Sequence, residues 1–330
     1  MAVDRRSFLA LSAAAVTSAV LPRLVHSEPL NSARLLTGFP PGTTPDVLAR
    51  LIGEKLAAQG YSRSVIIENR TGAGGQLAVS AVKGAPADGS AILLTPMSML
   101  GLYPFTYKRL PYDPVADLSP VSNGVRFDYG IGVGPAVPQH VKNIPDLMAW
   151  FKEDPANANM GSPATGSTLH FATVMLGRAA GVNLTHVGYR GSSAAIQDML
   201  GGVLPAMCAP LGSYMDDYDG RLRLLATSGA ERSPFTPDVA TLKEQGYPDL
   251  VFSEWYGFFL PAKAGAGIVA RLNEALRAAL GAPAIAESLT QFAMEPAPSS
   301  PAELAAMLRA DMEQWGPIVK SIGFSADGAG

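Results

Sequence analysis

Cysteine and histidine are scarce in this chain. Its 330 residues include a single cysteine, Cys208, and four histidines. One cysteine cannot form an intramolecular disulfide, and no cysteine or histidine spacing typical of a zinc site is present. P-loop and H-E-x-x-H sequences are absent as well. The sequence therefore predicts neither a metal nor a cofactor, and we expect Cys208 to be a small buried apolar residue.

Charged residues are also few. They make up 16% of the chain, and 25 Lys and Arg against 28 Asp and Glu give a net charge of -3. Because DNA and RNA binding requires a basic stripe, we expect no nucleic-acid partner. With 48% hydrophobic residues, the chain can bury one large core or two of medium size.

No apolar run is long enough to span a membrane. The apolar stretch 10–21 falls short of the roughly 20 residues that a spanning helix needs. It follows Arg5 and Arg6 and precedes a possible cleavage site with a small residue, Ser27. This layout is typical of a bacterial export signal. The paired arginines favour the twin-arginine route, with an ordinary Sec signal as the alternative. We predict that residues 1–27 are a signal cleaved near Ser27 and that the mature protein is soluble and periplasmic.

Short apolar runs alternate with helical periodicity along the rest of the chain. The predicted strands are 35–37, 65–67, 92–94, 129–133, 222–226 and 255–260. The predicted helices are 46–56, 76–83, 144–152, 268–280 and 302–321, with two further apolar stripes that contain Phe171 and Ile196. This alternation is typical of an α/β protein.

The order of these elements predicts two lobes. No Pro/Gly linker separates the earlier elements from the later ones, so we expect the chain to cross between the lobes and return. The predicted division is lobe 1 at 28–128, lobe 2 at 129–249, and a return to lobe 1 with C-terminal helices at 250–330. Ligands commonly bind where domains meet, so the cleft between the lobes is the predicted site.

Three turns rich in Gly, Pro, Ser and Thr each precede a predicted helix. We call them the first turn (39–46), the second turn (161–167) and the third turn (189–193). A helix start carries unpaired N–H groups and the positive end of the helix dipole. Several starts facing one cleft would therefore hold a small anion.

These turns and four further motifs follow one another in an order known from one family. The motifs are Phe39-Pro40-Pro41-Gly42 before Asp46, Glu68-Asn69-Arg70-Thr71-Gly72-Ala73-Gly74-Gly75, Leu110-Pro111-Tyr112-Asp113-Pro114, Gly161-Ser162 through Gly166-Ser167 to His170, Tyr189-Arg190-Gly191, Leu200-Gly201-Gly202 and Trp255-Tyr256-Gly257. From about Leu35 to Phe324 the chain resembles the periplasmic solute-binding proteins of tripartite tricarboxylate transporters, the Bug or TctC-like family.

The resemblance implies a type II periplasmic-binding fold, with two α/β lobes that close over a small organic carboxylate. It also implies membrane transporter subunits as partners, and we expect the protein itself to be a monomer. In the family the loops that match the three turns hold the carboxylate through backbone amides, hydroxyls and water. The residues implied as ligand-binding are Pro41, Gly42, Thr43, Asp46, Ser162, Thr165, Ser167, Tyr189, Gly191 and Ser192.

The chain departs from the family pattern at several positions. Thr43-Thr44-Pro45 stands where the family usually has Gly-Pro-Thr, so ligand size or orientation can differ here. Thr71 replaces a preferred proline in the glycine-rich loop, and Pro205-Ala206 replaces the aspartate that usually follows Gly201-Gly202.

Several of these residues have a structural role as an alternative. Asp46 at a helix start is equally suited to capping, and Arg70 to bracing the glycine turn. Arg190 can be a solvated charge instead of an anion partner. Trp255 and Tyr256, on a predicted strand, are expected in the core.

The sequence favours a binding receptor over an enzyme. Of the histidines only His170 lies near a serine-bearing turn, while His186 is predicted to precede a strand. The G-x-S-x-G elbow of serine hydrolases is absent around Ser162 and Ser167. The sequence thus predicts a non-enzymatic receptor for a carboxylate, with an exported hydrolase or dehydrogenase, or a sensory binding partner of a signalling system, as the alternatives.

Overall fold

The computed structural model describes residues 28–217 and 220–326, so the predicted signal lies outside the described part. Its strands are β1 (Ala33–Thr37), β2 (Val65–Asn69), β3 (Ala91–Pro96), β4 (Leu118–Val133), β5 (Asn159–Ser162), β6 (Thr185–Gly188), β7 (Ala206–Pro210), β8 (Arg223–Thr227), β9 (Ser253–Pro261) and β10 (Glu295–Pro296).

The helices of the described part surround this sheet. They are α1 (Thr44–Ala58), α2 (Gln76–Lys83), α3 (Tyr103–Thr106), α4 (Ile144–Glu153), α5 (Thr168–Ala180), α6 (Ser192–Leu200), α7 (Ala266–Leu280), α8 (Pro283–Thr290) and α9 (Pro301–Ile322). A π-helical turn, Ser98–Leu102, leads into α3. The predicted alternation of strands and helices is confirmed. The elements that were not predicted are β5, β6, β7, β10, α3, α8 and the first part of β4.

The strands form one sheet with the order β2-β1-β3-β9-β4-β7-β5-β6, and β8 and β10 pair with β4 beside this path. We call β2, β1, β3 and β9 the first half of the sheet, and β7, β5 and β6 the second half. Pairing is parallel between β1 and its neighbours and between β5 and its neighbours, while β9 and β4 run antiparallel to the strands beside them.

Strand β4 belongs to both halves. Its first part pairs with β9, ending at the Asp128–Ser253 pair. Its last part pairs with β7, beginning at the Tyr129–Pro210 pair. One continuous strand therefore carries the chain from the first half into the second. The lobe boundaries predicted from the sequence stay a prediction.

Helix α1 shows why the chain adopts this arrangement. Leu48, Ile52 and Leu56 recur every four residues and are fully buried, so one face of the helix packs on the sheet. Each such side chain contributes about 1.5–3 kcal/mol by leaving water. Most buried apolar residues form one large cluster that spans both halves, and a smaller cluster surrounds Met199 and Tyr214 in the second half.

Candidate functional site

The first turn ends at the start of α1, which lacks a side-chain cap. Thr43 is the N-cap residue, and among the described residues no side chain caps the helix there. The hydroxyl of Thr43 instead donates to the carbonyl of Pro40 at 2.7 Å. Pro45 has no N–H, so the amides of Thr44 and Asp46 are the first-turn donors left for another acceptor.

Asp46 holds the first turn in shape. Its carboxylate accepts from the backbone N–H of Gly42 at 2.9 Å, from Nε of Arg50 at 3.0 Å and from Nδ2 of Asn69 at 2.8 Å. Burial acts to raise the pKa of Asp46, but these hydrogen bonds outweigh it and lower the pKa below its ordinary value. The structural alternative raised for this residue was capping of the helix start; its carboxylate binds the N–H of Gly42, just before the N-cap residue, and two side chains.

The third turn ends at the start of α6, which also lacks a side-chain cap. Its N-cap residue is Gly191, with φ of 103°, a backbone conformation that favours glycine. The N–H of Gly191 donates to the carbonyl of Pro163 at 3.0 Å, which ties the third turn to the second. Tyr189 donates through its hydroxyl to Asp198 at 2.7 Å, and burial together with that carboxylate raises the pKa of Tyr189 to about 12.

The first and third turns meet across a narrow space. A Cβ placed on Gly191 would lie 3.0 Å from Cδ of Pro40 and 3.2 Å from Cγ2 of Thr43. These distances are shorter than ordinary van der Waals contact, so glycine is what allows the approach. As a result, the uncapped starts of α1 and α6 are brought to the same place.

The second turn is capped and is also held by Tyr107, the residue that follows α3. Ser167 is the N-cap of α5, and its hydroxyl accepts from the N–H of His170 at 3.4 Å and donates to the carbonyl of Ala164 at 2.7 Å. The hydroxyl of Tyr107 donates to the carbonyl of Thr165 at 2.7 Å. The second turn thus has less donor capacity left than the other two.

Ser162 pairs with a histidine below the second turn. Its hydroxyl lies 2.8 Å from Nε2 of His186, which stacks on His170 with 3.4 Å between ring centroids. His186 lies within β6, so the prediction that it precedes a strand was wrong. Burial lowers the pKa of His186 to about 4 and, with His186 beside it, that of His170 to about 3.

This serine and histidine pair lacks the features of a catalytic dyad. Ser162 is fully buried. Among the described residues, Nδ1 of His186 has no hydrogen-bond partner, so no third group orients the ring. The hydrogen bond between Ser162 and His186 therefore joins the second turn to β6.

One cavity brings the three turns together, and we call it the first cavity. It is partly open to solvent and offers about 30 Å³ of room for the centres of water molecules. Thr43, Ser167 and Ser192 line it, one from each turn. Its other lining residues are Phe39, Thr44, Pro45, Pro96, Ser98, Phe127, Pro163, Ala164, Leu169, Pro210, Glu254 and Tyr256.

The remaining predicted residues lie around this cavity. Thr165 and Tyr189 line a neighbouring cavity next to the glycine-rich loop, with about 160 Å³ of room by the same measure. Gly42 lines another cavity, of about 170 Å³ by the same measure, which shares Thr43, Thr44 and Ser192 with the first cavity. Pro41 is exposed at the tip of the first turn.

Glu254 is the main residue that the sequence analysis missed. It lies on β9, lines the first cavity and is 2% exposed. Its Oε1 accepts from the N–H and hydroxyl of Ser98 at 2.8 and 2.7 Å. Its Oε2 accepts from the hydroxyl of Thr168 at 2.6 Å and from that of Tyr129. A lone acidic residue within an otherwise apolar strand was the available signal.

Two tyrosines lie close to this part of the site: Tyr129 is hydrogen bonded to Glu254, and Tyr256 lines the first cavity. Burial, with the charge of Glu254, raises the pKa of Tyr129 well above its ordinary value, so its phenol stays a hydrogen-bond donor. The hydroxyls of Tyr256 and Thr44 lie 2.7 Å apart, which links β9 to the start of α1. Thr44 is one of the departures from the family pattern, and its hydroxyl is hydrogen bonded within the protein.

Two further features bear on the kind of site. Across residues 28–217 and 220–326, no helix combines the length and apolar character that crossing a membrane requires. In the same ranges, no group of three or more His, Cys, Asp or Glu side chains is placed to hold a metal ion.

The sequence matches a known family and several relatives. The family model described as the tripartite tricarboxylate transporter family receptor matches residues 48–324. A UPF0065 protein from the tcbD-tcbE intergenic region of Pseudomonas sp. (strain P51) is 30% identical, over 96% of this chain and 94% of its own. The protein BugT of Bordetella pertussis is 28% identical, over 92% of both chains.

Solved structures share the fold. The Rhodopseudomonas palustris protein Rpa4515, solved with adipate, has a TM-score of 0.84 and 28% identity over 89% of this chain and 98% of its own. MatC (Rpa3494) from Rhodopseudomonas palustris, solved with bound malate, has a TM-score of 0.81 and 25% identity over 88% of this chain and 99% of its own. The fold is thus that of the periplasmic binding proteins, as the sequence predicted.

Proposed function

This chain belongs to the tripartite tricarboxylate transporter receptor family and is a solute-binding protein, and from that premise we propose that it captures a small organic carboxylate in the first cavity. The adipate and malate in the two related structures support this ligand class. The captured ligand would then pass to the membrane subunits of a transporter.

The observation that carries the proposal is the meeting of two uncapped helix starts. The starts of α1 and α6 face one another where Gly191 approaches Thr43, and both supply residues to the first cavity. Unpaired N–H groups and the positive helix ends favour an anion at this point. We call the starts of α1 and α6 the first anion seat, with Thr43 and Ser192 beside it.

Binding in this cavity would couple the two halves of the sheet. The first turn follows β1, in the first half, while the third turn follows β6, in the second half. A ligand that contacts both turns stabilises the arrangement in which they meet and so shifts the population towards it. We propose the lobe division at 28–128, 129–249 and 250–330 on this basis.

The remaining expectations complete the proposal. We propose that residues 1–27 direct export by the twin-arginine route, that cleavage occurs near Ser27, and that the mature protein acts as a periplasmic monomer without catalytic activity. Membership of a receptor family and the buried position of Ser162 support a receptor over a hydrolase.

A thermal-shift screen of mono-, di- and tricarboxylates tests the proposal. A ligand present at about 100 times its Kd stabilises the folded protein by about 2.7 kcal/mol. We expect at least one carboxylate to raise the melting temperature and Gly191→Ala to remove about half of that rise or more. If no carboxylate has an effect while an ester or alcohol is turned over, the receptor proposal is wrong and the exported enzyme takes its place.

A further inference from the structure

The protein supplies an anion of its own to the first cavity. Glu254 is buried there and is surrounded by the backbone N–H and hydroxyl of Ser98 and the hydroxyls of Tyr129 and Thr168. A carboxylate has about four lone-pair positions, so these groups satisfy it. We call Ser98, Tyr129 and Thr168 the second anion seat.

The second anion seat has the composition of a carboxylate-binding site. It combines one backbone amide with three hydroxyls, and it includes Thr168, the first residue of α5. Such donors would be suited to the second carboxylate of a dicarboxylate ligand. Because Glu254 already occupies them, they are not available to a ligand.

The other hydroxyls around the cavity also have partners within the protein. That of Thr43 is hydrogen bonded to the carbonyl of Pro40, and that of Ser167 to the carbonyl of Ala164. That of Thr44 pairs with the hydroxyl of Tyr256. The donor capacity left for a ligand is therefore concentrated at the first anion seat.

The rest of the lining is apolar. Phe39, Phe127 and Leu169 contribute large side chains, and Pro96, Pro163 and Pro210 contribute rings without an N–H. Among the described residues that line the first cavity, none is Lys, Arg or His. A second ligand carboxylate would thus lose its hydration without gaining a cation, and would face the charge of Glu254.

We propose that the first cavity selects monocarboxylates with an apolar body over dicarboxylates, and that Glu254 is the residue that determines this specificity. The inference rests on the proposed function, since it names the ligand class of the same site. It separates this chain from the two related structures, which hold dicarboxylates.

Calorimetric titration with matched acid pairs tests the inference on the unmodified protein. The pairs are butanoate with succinate, hexanoate with adipate, and octanoate with suberate, each differing by one carboxylate at equal chain length. At the best-binding length we expect the monocarboxylate to bind about tenfold more tightly. A preference below threefold, or one for the dicarboxylate, overturns the inference while leaving the proposed function standing. If none of the six acids binds, the inference is overturned, and the thermal-shift screen of all three carboxylate classes decides whether the proposed function fails as well.

The variant Glu254→Gln tests the role of the side chain. It keeps the shape of the residue and removes its charge, so we expect the preference for the monocarboxylate to fall at least threefold. Glu295→Gln is the matched control, because Glu295 pairs with Arg126 on the surface and does not line the first cavity. An unchanged preference in folded Glu254→Gln protein overturns the assignment to Glu254, and if that variant does not fold, the acid pairs on the unmodified protein decide.

Discussion

Thr168, the first residue of α5, donates a hydrogen bond to Oε2 of Glu254 on β9 across 2.6 Å. The bond joins a helix packed on the second half of the sheet to a strand of the first half. Ser98 and Tyr129 bind the same carboxylate, so four segments of the chain converge on one buried group. These hydrogen bonds hold the Glu254 carboxylate in place beside the first cavity.

The substitution Thr168→Val should destabilise the protein. Valine keeps the shape of the side chain but removes one donor to a buried carboxylate, which costs about 1–3 kcal/mol. Urea unfolding of both proteins measures the difference. Thr173→Val is the control, because Thr173 is equally buried on α5 but only donates to the carbonyl of Leu169 one turn earlier. If both substitutions lower the free energy of unfolding equally, the bond to Glu254 contributes no more to stability than the bond of Thr173.

The substitution Gly191→Ala should weaken carboxylate binding tenfold or more. The added Cβ would meet Pro40 and Thr43, so the first and third turns could no longer approach each other. Its positive φ also adds strain of about 1–3 kcal/mol to the folded state.

The control separates strain from contact. Gly202 also has positive φ, at 74°, yet a Cβ there would meet nothing within 4 Å. Gly202→Ala should therefore lower stability without changing the Kd for hexanoate, measured by calorimetry. If both variants bind hexanoate as the unmodified protein does, the approach of the two turns does not matter for binding.

The substitution Ser192→Ala should reduce hexanoate affinity about threefold to tenfold while leaving the fold intact. Ser192 is the first residue of α6 and its side chain lines the first cavity. Ser193→Ala is the matched control, because Ser193 follows on the same helix but lines the neighbouring cavity that contains Gly42. A larger effect of Ser193→Ala would move the ligand to that cavity.

The two stacked histidines should make the folded protein sensitive to acid. His186 and His170 have pKa values of about 4 and 3 when folded and an ordinary value of 6.5. Between pH 6.5 and pH 4 the unfolded chain therefore binds protons that the folded protein does not, and stability falls as the pH is lowered. Each histidine contributes up to about 1.4 kcal/mol per pH unit.

Two aspartates act in the opposite direction. Burial raises the pKa of Asp128 and of Asp311 to about 6, so these folded carboxyls gain protons first and favour the folded state on acidification. The test therefore compares variants by urea unfolding at pH 7 and pH 5. We expect His186→Asn to lose less stability on acidification than the unmodified protein, and Asp128→Asn to lose more. If all three proteins lose the same stability between pH 7 and pH 5, these pKa shifts do not account for the acid sensitivity.

Local patterns in the sequence were sufficient for most helices. The predicted bounds of α2 agree with the structure, and α4 and α7 differ by one or two residues, because each shows a one-sided apolar stripe. The first part of β4 was missed for a physical reason. Pro120 and Gly124 interrupt its apolar pattern, and the register with β9 shifts near both positions.

The site was only partly predictable. The three turns have local signals, since helix starts have a typical composition, and the structure brings Thr43, Ser167 and Ser192 into one cavity. The partners of Glu254 lie 86, 125 and 156 residues away along the chain. No short-range pattern encodes such contacts, so the second anion seat appears only in three dimensions.

A crystal structure of the protein with hexanoate tests the central claim most directly. We predict that the carboxylate lies between the starts of α1 and α6, within about 3 Å of their first-turn amides. The hydrocarbon chain should extend towards Phe127 and Leu169. A carboxylate bound instead at Ser98 and Thr168, or a ligand in the cavity beside the glycine-rich loop, would contradict the account.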